Sequence, residues 1–216
     1  MNLTSELNNW THEQKCKKAV EVLGKKGFVA VYCATSVEAV DYILKEALEA
    51  KTIGFGGSMS VANLQLSDNL QQMGKELLNH GVPNLSMEER LEIMRRQLNC
   101  DLFLTGTNAL TLTGCLVNID ATGNRVGAMI FGPRKVIVVA GRNKLVSDTQ
   151  AALQRIKDYA SPPNAKRLNY KTPCAVTGFC ADCNSPERIC RVTSIIEYKP
   201  RLTDMRVLVV NEEMGL

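Results

Sequence analysis

Short apolar runs alternate with amphipathic segments along the first half of the chain. The runs have the length and unbroken apolar character of strands buried on both faces. They are FVAVYC at 28–33, TIGFG at 52–56 and DLFLTG at 101–106. Apolar residues between them recur at helical spacing: Thr11 and Gln14 predict the start of a first helix that ends near Gly24, and Ser86 with Glu89 forms a second capping-box pattern. Strands that alternate with helices favour a mainly parallel sheet with helices on both faces, so we expect a three-layer α/β fold.

The apolar segments follow one another more closely after Thr105. Three of them are separated only by turn-like residues: TLTGCLVNID at 111–120, RVGAMIFG at 125–132 and KVIVVAG at 135–141. We expect adjacent strands here, some of them antiparallel. Ser147 is expected to cap a helix that Pro162 and Pro163 end, because proline does not continue a helix. RVLVVNEE at 206–213 predicts a last strand.

Length, charge and cysteine content narrow the class of protein. The 216 residues fit one α/β domain at 1–216 with a cysteine-rich loop at about 161–191. The net charge is +4 and the basic residues are dispersed, which does not indicate nucleic-acid binding. No apolar run approaches the roughly 20 residues that span a bilayer, and we read no secretory signal in MNLTSELNNW. Eight cysteines in such a chain indicate reducing surroundings, so we expect a cytoplasmic protein.

A loop rich in glycine and serine directly follows the second apolar run, in IGFGGSMS at 53–60. Glycine lets the backbone approach a ligand closely, and N–H groups at a strand-to-helix turn can hold phosphate, carboxylate or pyrophosphate. The loop lacks the lysine of a nucleotide P-loop, and Met59 stands where a dinucleotide fingerprint has its third glycine. We predict an anion-binding loop, with a simple tight turn as the alternative. Its candidate ligand-binding residues are Gly54, Gly56, Gly57, Ser58 and Ser60.

Four longer motifs occur in a consistent order along the chain. They are GFGGSMS at 54–60, TGTNALTLTGCLVNIDATGNRVGAMIFGPRKVIVVAGRNKLV at 105–146, PCAVTGFCADCNSPERIC at 173–190 and LVVNEEMGL at 208–216. Together they resemble the lactate-utilisation (LUD) domain family over about residues 10–216, in a short form with a C-terminal cysteine cluster. The resemblance implies a fold like that of ribose-5-phosphate isomerase, glucosamine-6-phosphate deaminase and the CoA transferases. It also implies a part in the oxidation of lactate to pyruvate beside iron–sulfur subunits.

The segment that begins at Gly106 bears on the reaction. Sugar-phosphate isomerases of the wider fold carry an acidic residue in a related-looking segment, and here Asn108 stands at that place. An amide cannot accept a proton as a carboxylate does, nor form an acyl intermediate with CoA. We therefore name no catalytic residue, and whether the protein is an enzyme stays open. Polar residues at strand ends or turns complete the candidate ligand-binding set: Asn108, Asn118, Asn124, Arg125 and Lys144. The two cations could neutralise an anion; the alternative for each residue is an ordinary turn amide or a solvated cation.

Four cysteines lie close together in the segment 161–191. They are Cys174, Cys180, Cys183 and Cys190, with the spacing C-x5-C-x2-C-x6-C. Four soft ligands suit an iron–sulfur cluster or Zn²⁺, and the alternative is a set of reduced thiols, or one redox-labile pair, packed as small apolar groups. The other four cysteines fall in apolar runs or faces and are expected in the core. His12 and His80 form no constellation with serine or cysteine, so we interpret both as surface residues.

These features lead to three hypotheses for function. The first is a lactate-utilisation protein, a subunit or accessory of lactate oxidation that binds an anionic small molecule at residues 54–60 and associates with iron–sulfur oxidoreductase subunits. The second is a stand-alone enzyme or sensor for a sugar-phosphate or CoA-linked metabolite. The third is a non-catalytic domain with a structural metal. A homo-oligomer is compatible with all three.

Overall fold

The computed structural model describes residues 2–216, and two β-sheets organise them. The strands are β1 (Val29–Cys33), β2 (Thr52–Phe55), β3 (Glu76–Asn79), β4 (Leu102–Gly106), β5 (Ala109–Thr111), β6 (Leu116–Asp120), β7 (Lys135–Gly141), β8 (Leu145–Val146), β9 (Val192–Ile196) and β10 (Asp204–Val210). The larger sheet has the order β1-β10-β7-β4-β2-β3, and every neighbouring pair in it is parallel. The smaller sheet has the order β8-β5-β6-β9; β6 runs antiparallel to both of its neighbours.

Helices cover both faces of the larger sheet. They are α1 (Leu3–Lys25), α2 (Ser36–Glu46), α3 (Met59–Ala62), α4 (Ser67–Gln72), α5 (Met87–Gln97), α6 (Asn124–Ile130), α7 (Thr149–Arg155), α8 (Ser161–Arg167) and α9 (Pro173–Thr177), with a π-helical turn at Ile156–Ala160. Val136 of β7 packs into the core that contains Leu23 of α1, whereas Ile137 joins the core that contains Ile43 of α2. Because successive side chains of a strand point to opposite faces, the two cores lie on opposite sides of the sheet. This confirms the predicted three-layer, mainly parallel α/β fold.

The long apolar runs form strands as predicted. Strands β1, β2, β4 and β7 lie within residues 28–33, 52–56, 101–106 and 135–141, and β10 overlaps residues 206–213 but begins at Asp204; the five strands are neighbours in the larger sheet. The predicted capping box also begins α5: the Ser86 hydroxyl accepts from the Glu89 backbone N–H, and the Glu89 carboxylate accepts from the Ser86 N–H. Within residues 2–216, no helix has both the length and the apolar character needed to cross a membrane.

The segment RVGAMIFG, predicted as a strand, is helix α6. Gly123 precedes the helix with a φ of +87°, a left-handed conformation that glycine adopts at little steric cost. The Asp120 carboxylate then accepts from the Val126 backbone N–H at 3.2 Å. A short apolar run fits a buried helix as well as a buried strand, and here the turn before it starts a helix.

Pro162 and Pro163 do not end the helical region. The chain continues from α7 through the π-helical turn at Ile156–Ala160 into α8, and the prolines occupy the first turn of α8. Proline is tolerated there because the first N–H groups of a helix have no intrahelical partner. The segment 161–191 is therefore partly helical, through α8 and α9, and residues 168–172 and 178–191 have no helix or strand.

The structure also differs from the prediction at the starts of two helices and at one edge of the larger sheet. Asn2 caps the first helix, which begins at Leu3 rather than near Thr11. The carboxylate of Asp148, not Ser147, accepts from the backbone at the start of α7. The edge strand β3 was not predicted, since Glu76–Asn79 is short and mixes polar with apolar residues.

Candidate functional site

A cavity of about 330 Å³ lies at the carboxyl ends of β2 and β4. It is walled by the loop 56–59, by residues 106–108 after β4, by residues of the turn between β6 and α6, and by one side of α8. Open parallel sheets bind ligands at this edge, because the loops that leave the strands there can diverge around a ligand. The cavity therefore lies where the fold favours a functional site.

The glycine loop forms one wall of this cavity. A Cβ atom on Gly56 would lie 2.8 Å from the Thr105 hydroxyl oxygen, so the position has no room for a side chain. Gly57 has a φ of +69°, and the Ser58 hydroxyl accepts from the Val61 backbone N–H at 3.4 Å where α3 begins. No residue in the described part of the chain accepts a hydrogen bond from the backbone N–H of Gly57 or Ser58. The loop thus presents two free backbone donors beside the cavity.

Lys144 reaches the cavity from the 3₁₀ turn after β7, and only 4% of its surface is exposed. Its ammonium donates to the Ser60 hydroxyl at 2.7 Å and to the Thr107 carbonyl oxygen at 2.9 Å. Neither partner is charged. Burial, together with the positive charges of Arg155 and Arg125, lowers the pKa of Lys144 to about 7. An ammonium placed among cations without a carboxylate partner is stabilised by a bound anion.

Arg125 uses its donors within the protein. Its two terminal nitrogens donate to the side-chain oxygens of Asn118 at 2.7 Å and Asn108 at 3.0 Å, and to two backbone carbonyls. Its Nε lies 3.5 Å from the Asp120 carboxylate. The guanidinium therefore contributes positive charge to the cavity wall while it fixes the two amides.

Asn108 is oriented by this network. Its Oδ1 accepts from the Ile119 backbone N–H at 2.9 Å as well as from Arg125. Since the oxygen is engaged on that side, the amide nitrogen is the free polar group, and Asn108 lines the cavity. The position that holds an acid in the related-looking isomerase segment thus carries a hydrogen-bond donor.

The structure brings seven of the ten predicted ligand-binding residues to one cavity. They are Gly56, Gly57, Ser58, Asn108, Asn124, Arg125 and Lys144. Ser60 and Asn118 lie behind this wall as hydrogen-bond partners of Lys144 and Arg125. Gly54 lies inside β2, where a Cβ atom would come within 2.9 Å of the Phe103 ring. These placements leave the ligand-binding role of each residue as a prediction.

Sequence reasoning missed one histidine and three charged residues at this cavity: His80, Arg90, Asp120 and Arg167. His80 directly follows the edge strand that was not predicted, and it is half-buried rather than on the surface. Arg167 belongs to α8, which the two prolines concealed. The sequence could have indicated Arg90, because it lies four residues before Met94 and therefore on the same face of the predicted helix α5; both residues line the cavity.

The cysteines divide as predicted between the core and the segment 161–191. Cys16, Cys33, Cys100 and Cys115 are buried, whereas Cys174, Cys180, Cys183 and Cys190 are partly exposed. The second group does not form a preformed metal site: across residues 2–216, no three His, Cys, Asp or Glu side chains come together in a metal-binding arrangement. Cys174 instead lies 3.3 Å from the Thr172 hydroxyl, and Cys190 lies 3.8 Å from an Arg188 nitrogen. An iron–sulfur cluster or Zn²⁺ at these residues stays a prediction, and no part of the site described above depends on it.

Fold and cavity together define a three-layer α/β protein with a donor-lined site at the carboxyl edge of its parallel sheet. The LUD domain family model matches residues 16–210, and the chain belongs to that family, which is associated with lactate utilisation. Among solved structures, the chain is similar to a DUF162 family protein from Deinococcus radiodurans, with 14% identity and a TM-score of 0.54 over 92% of this chain and 98% of that one. This likeness supports the fold. No curated protein matches the sequence significantly.

Proposed function

We propose that this LUD-domain protein takes part in lactate utilisation by binding an anionic small molecule in the cavity beside the glycine loop. The observation that carries the proposal is Lys144, whose buried ammonium has only neutral hydrogen-bond partners. A buried charge without a counterion is costly, and a ligand anion supplies the missing charge. The family's association with lactate gives the ligand class, namely a small hydroxy or oxo acid.

The polar groups around the cavity match such a ligand. The backbone N–H groups of the loop, the Asn108 amide and the Lys144 ammonium are all donors. Asp120 is the one Asp or Glu side chain at this cavity within residues 2–216, and it is engaged by Arg125 and by two backbone N–H groups. A wall of donors with its carboxylate already paired accepts anionic oxygen atoms and disfavours cations.

A phosphorylated or CoA-linked metabolite is the second candidate ligand. A neighbouring cavity of about 270 Å³ shares the loop 56–59 and Arg167 with the first one. The loop therefore separates two spaces that a longer ligand could occupy together, with a phosphate near the loop and Arg167. This arrangement favours a ligand larger than lactate.

The proposal includes a working partnership with iron–sulfur oxidoreductase subunits. It rests on the family association and on the nature of the cavity, which, among residues 2–216, has donors but no free carboxylate side chain. Such a site binds and orients an anion, whereas lactate oxidation also needs an electron acceptor. A partner that carries electrons would supply it.

Calorimetric titration with lactate, pyruvate, inorganic phosphate and CoA tests the binding proposal and separates the two ligand classes. We expect saturable binding of at least one of these compounds. Lys144→Met should weaken it tenfold or more, because the variant keeps the length of the side chain but loses the charge. Lys45→Met, at an exposed position near the end of α2, is the matched control and should bind as the unmodified protein does. Absence of binding for all four compounds, or equal binding by the Lys144 variant, would contradict the proposal.

A further inference from the structure

His80 lies directly after β3 and lines the cavity beside the glycine loop. A Cβ atom built on Gly57 would be 3.5 Å from His80 Nε2, which places this nitrogen against the part of the loop where the backbone donors are free. No residue among those described pairs with Nε2. The other ring nitrogen, Nδ1, lies 3.0 Å from Gln97 Nε2.

The orientation of Gln97 is fixed by two backbone carbonyls. Its Nε2 donates to the Phe55 carbonyl oxygen at 2.9 Å and to the Leu78 carbonyl oxygen at 2.8 Å, and 1% of the residue is exposed. The reversed amide would place its oxygen against both carbonyl oxygens, with no hydrogen between them. The group that faces His80 is therefore the amide nitrogen, even though this leaves the amide oxygen buried without a partner.

This contact determines which nitrogen of His80 carries the proton. The Gln97 amide nitrogen carries two hydrogens, shared among the two carbonyl oxygens and Nδ1, and it cannot accept one. A protonated Nδ1 would point its hydrogen at this N–H donor, so Nδ1 is the unprotonated nitrogen and Nε2 carries the hydrogen. Burial is the largest influence on the pKa of His80 and lowers it; the Gln97 contact raises it, the charge of Arg90 lowers it and that of Asp120 raises it, and the net shift is downward. The ring is thus neutral at physiological pH and presents Nε2–H to the cavity.

We propose that His80 is a specificity-determining residue that donates a hydrogen bond from neutral Nε2–H to the anion held at the glycine loop, with Gln97 as its positioning residue. The inference rests on the proposed anion-binding function. It adds a donor that bears no charge, so that His80 contributes direction while Lys144 contributes charge. Ligands with an oxygen acceptor turned toward His80 are favoured, and ligands with an apolar group there leave the buried N–H unpaired.

Two measurements on the full-length protein test the inference. Long-range proton–nitrogen NMR of the two histidines reports the protonation of each ring nitrogen, and His12→Gln assigns the remaining signal to His80. Between roughly pH 7 and pH 8, with no ligand, we expect Nε2 protonated and Nδ1 unprotonated, each identified by its nitrogen chemical shift. A charged ring or an Nδ1–H tautomer would overturn the inference.

Titration with pyruvate and inorganic phosphate tests the donor itself. His80→Phe should weaken binding about tenfold or more, because it removes the donor but keeps a flat ring. His80→Gln, whose amide nitrogen can take the place of Nε2, should stay within about threefold of the unmodified protein, and thermal unfolding checks that both variants are folded. If the unmodified protein binds but His80→Phe binds equally well, this inference alone fails. If the unmodified protein binds neither probe, the proposed function fails and the donor role fails with it.

Discussion

The two cations at the cavity, Lys144 and Arg125, differ in how the protein balances their charge. Lys144 is a cation without a charged partner, whereas the guanidinium of Arg125 is enclosed by two amides, two carbonyls and a carboxylate. Their residue types suggested the same role in the sequence, namely neutralising an anion. The structure distinguishes the two cations: Arg125 lies beside the Asp120 carboxylate, whereas the buried charge of Lys144 has no carboxylate partner. Sequence alone could not make this distinction, since it depends on what lies around each side chain.

The lowered pKa of Lys144 predicts how anion binding depends on pH. The ammonium attracts the anion, and it loses its proton as the pH rises through about 7. With pyruvate as the ligand, whose charge is constant in this range, the affinity should therefore fall above pH 7, by up to roughly tenfold per pH unit if binding requires the proton. Calorimetric titration from pH 6 to pH 9 measures this, and Lys144→Met should give a flatter profile. A flat profile for the unmodified protein would contradict the assigned role.

Loss of the Lys144 proton weakens anion binding as the pH rises, but it raises the free energy of unfolding. The ordinary pKa of a lysine is 10.5, and that of folded Lys144 is about 7. Between these values the unfolded chain binds a proton that the folded chain does not, so this residue makes the free energy of unfolding rise with pH. Raising the pH across this window thus relieves the cost of the buried charge while it weakens anion binding. Near pH 7, where Lys144 is still partly charged, burial of that charge lowers stability, and such a perturbed pKa is common at functional sites.

At the scale of elements, the sequence predicted strands better than the loops and helices that complete the site. The central strands are unbroken apolar runs that directly follow or precede turn residues, which is the pattern of strands buried on both faces. The strand β3 and the helix α8 were missed for different physical reasons: an edge strand needs only one paired side, and proline is harmless in the first turn of a helix. Both elements deliver residues to the cavity, His80 and Arg167 respectively. The glycine loop was found because its composition and its position after a strand both indicated it.

The glycine loop permits a test with two positions of similar backbone strain. Gly57 and Gly74 have φ values of +69° and +71°, and only Gly57 lines the cavity. Alanine at either position should lower the free energy of unfolding by about 1 kcal/mol, since a side chain disfavours this conformation. Urea denaturation measures this cost. Gly57→Ala should also weaken anion binding, because relief of the strain moves the free N–H groups, whereas Gly74→Ala should not. Equal binding by both variants would show that the loop is only a turn.

At the scale of the whole molecule, β4 is the strand on which sheet and site both depend. It lies between β7 and β2. Its Phe103 ring is fully buried and occupies the space where side chains at Gly54 and Gly56 would otherwise lie. Phe103→Ala should lower the free energy of unfolding by about 4 kcal/mol, because it removes a large side chain and leaves a void. Phe131→Ala, at a residue that is 71% exposed, should change it by less than about 0.5 kcal/mol. Urea denaturation of both variants makes the comparison, and similar losses would contradict the assigned core.

The strand order has a consequence for how the protein is made. β10 lies between β1 and β7, so β1 cannot join the sheet until residues 204–210 have been synthesised. Until then, the nascent chain carries two apolar strands with unpaired edges, which are prone to pair with other chains. During synthesis, β1 therefore lacks its partner strand until residues 204–210 emerge, and chaperone protection of these edges would matter most in that interval.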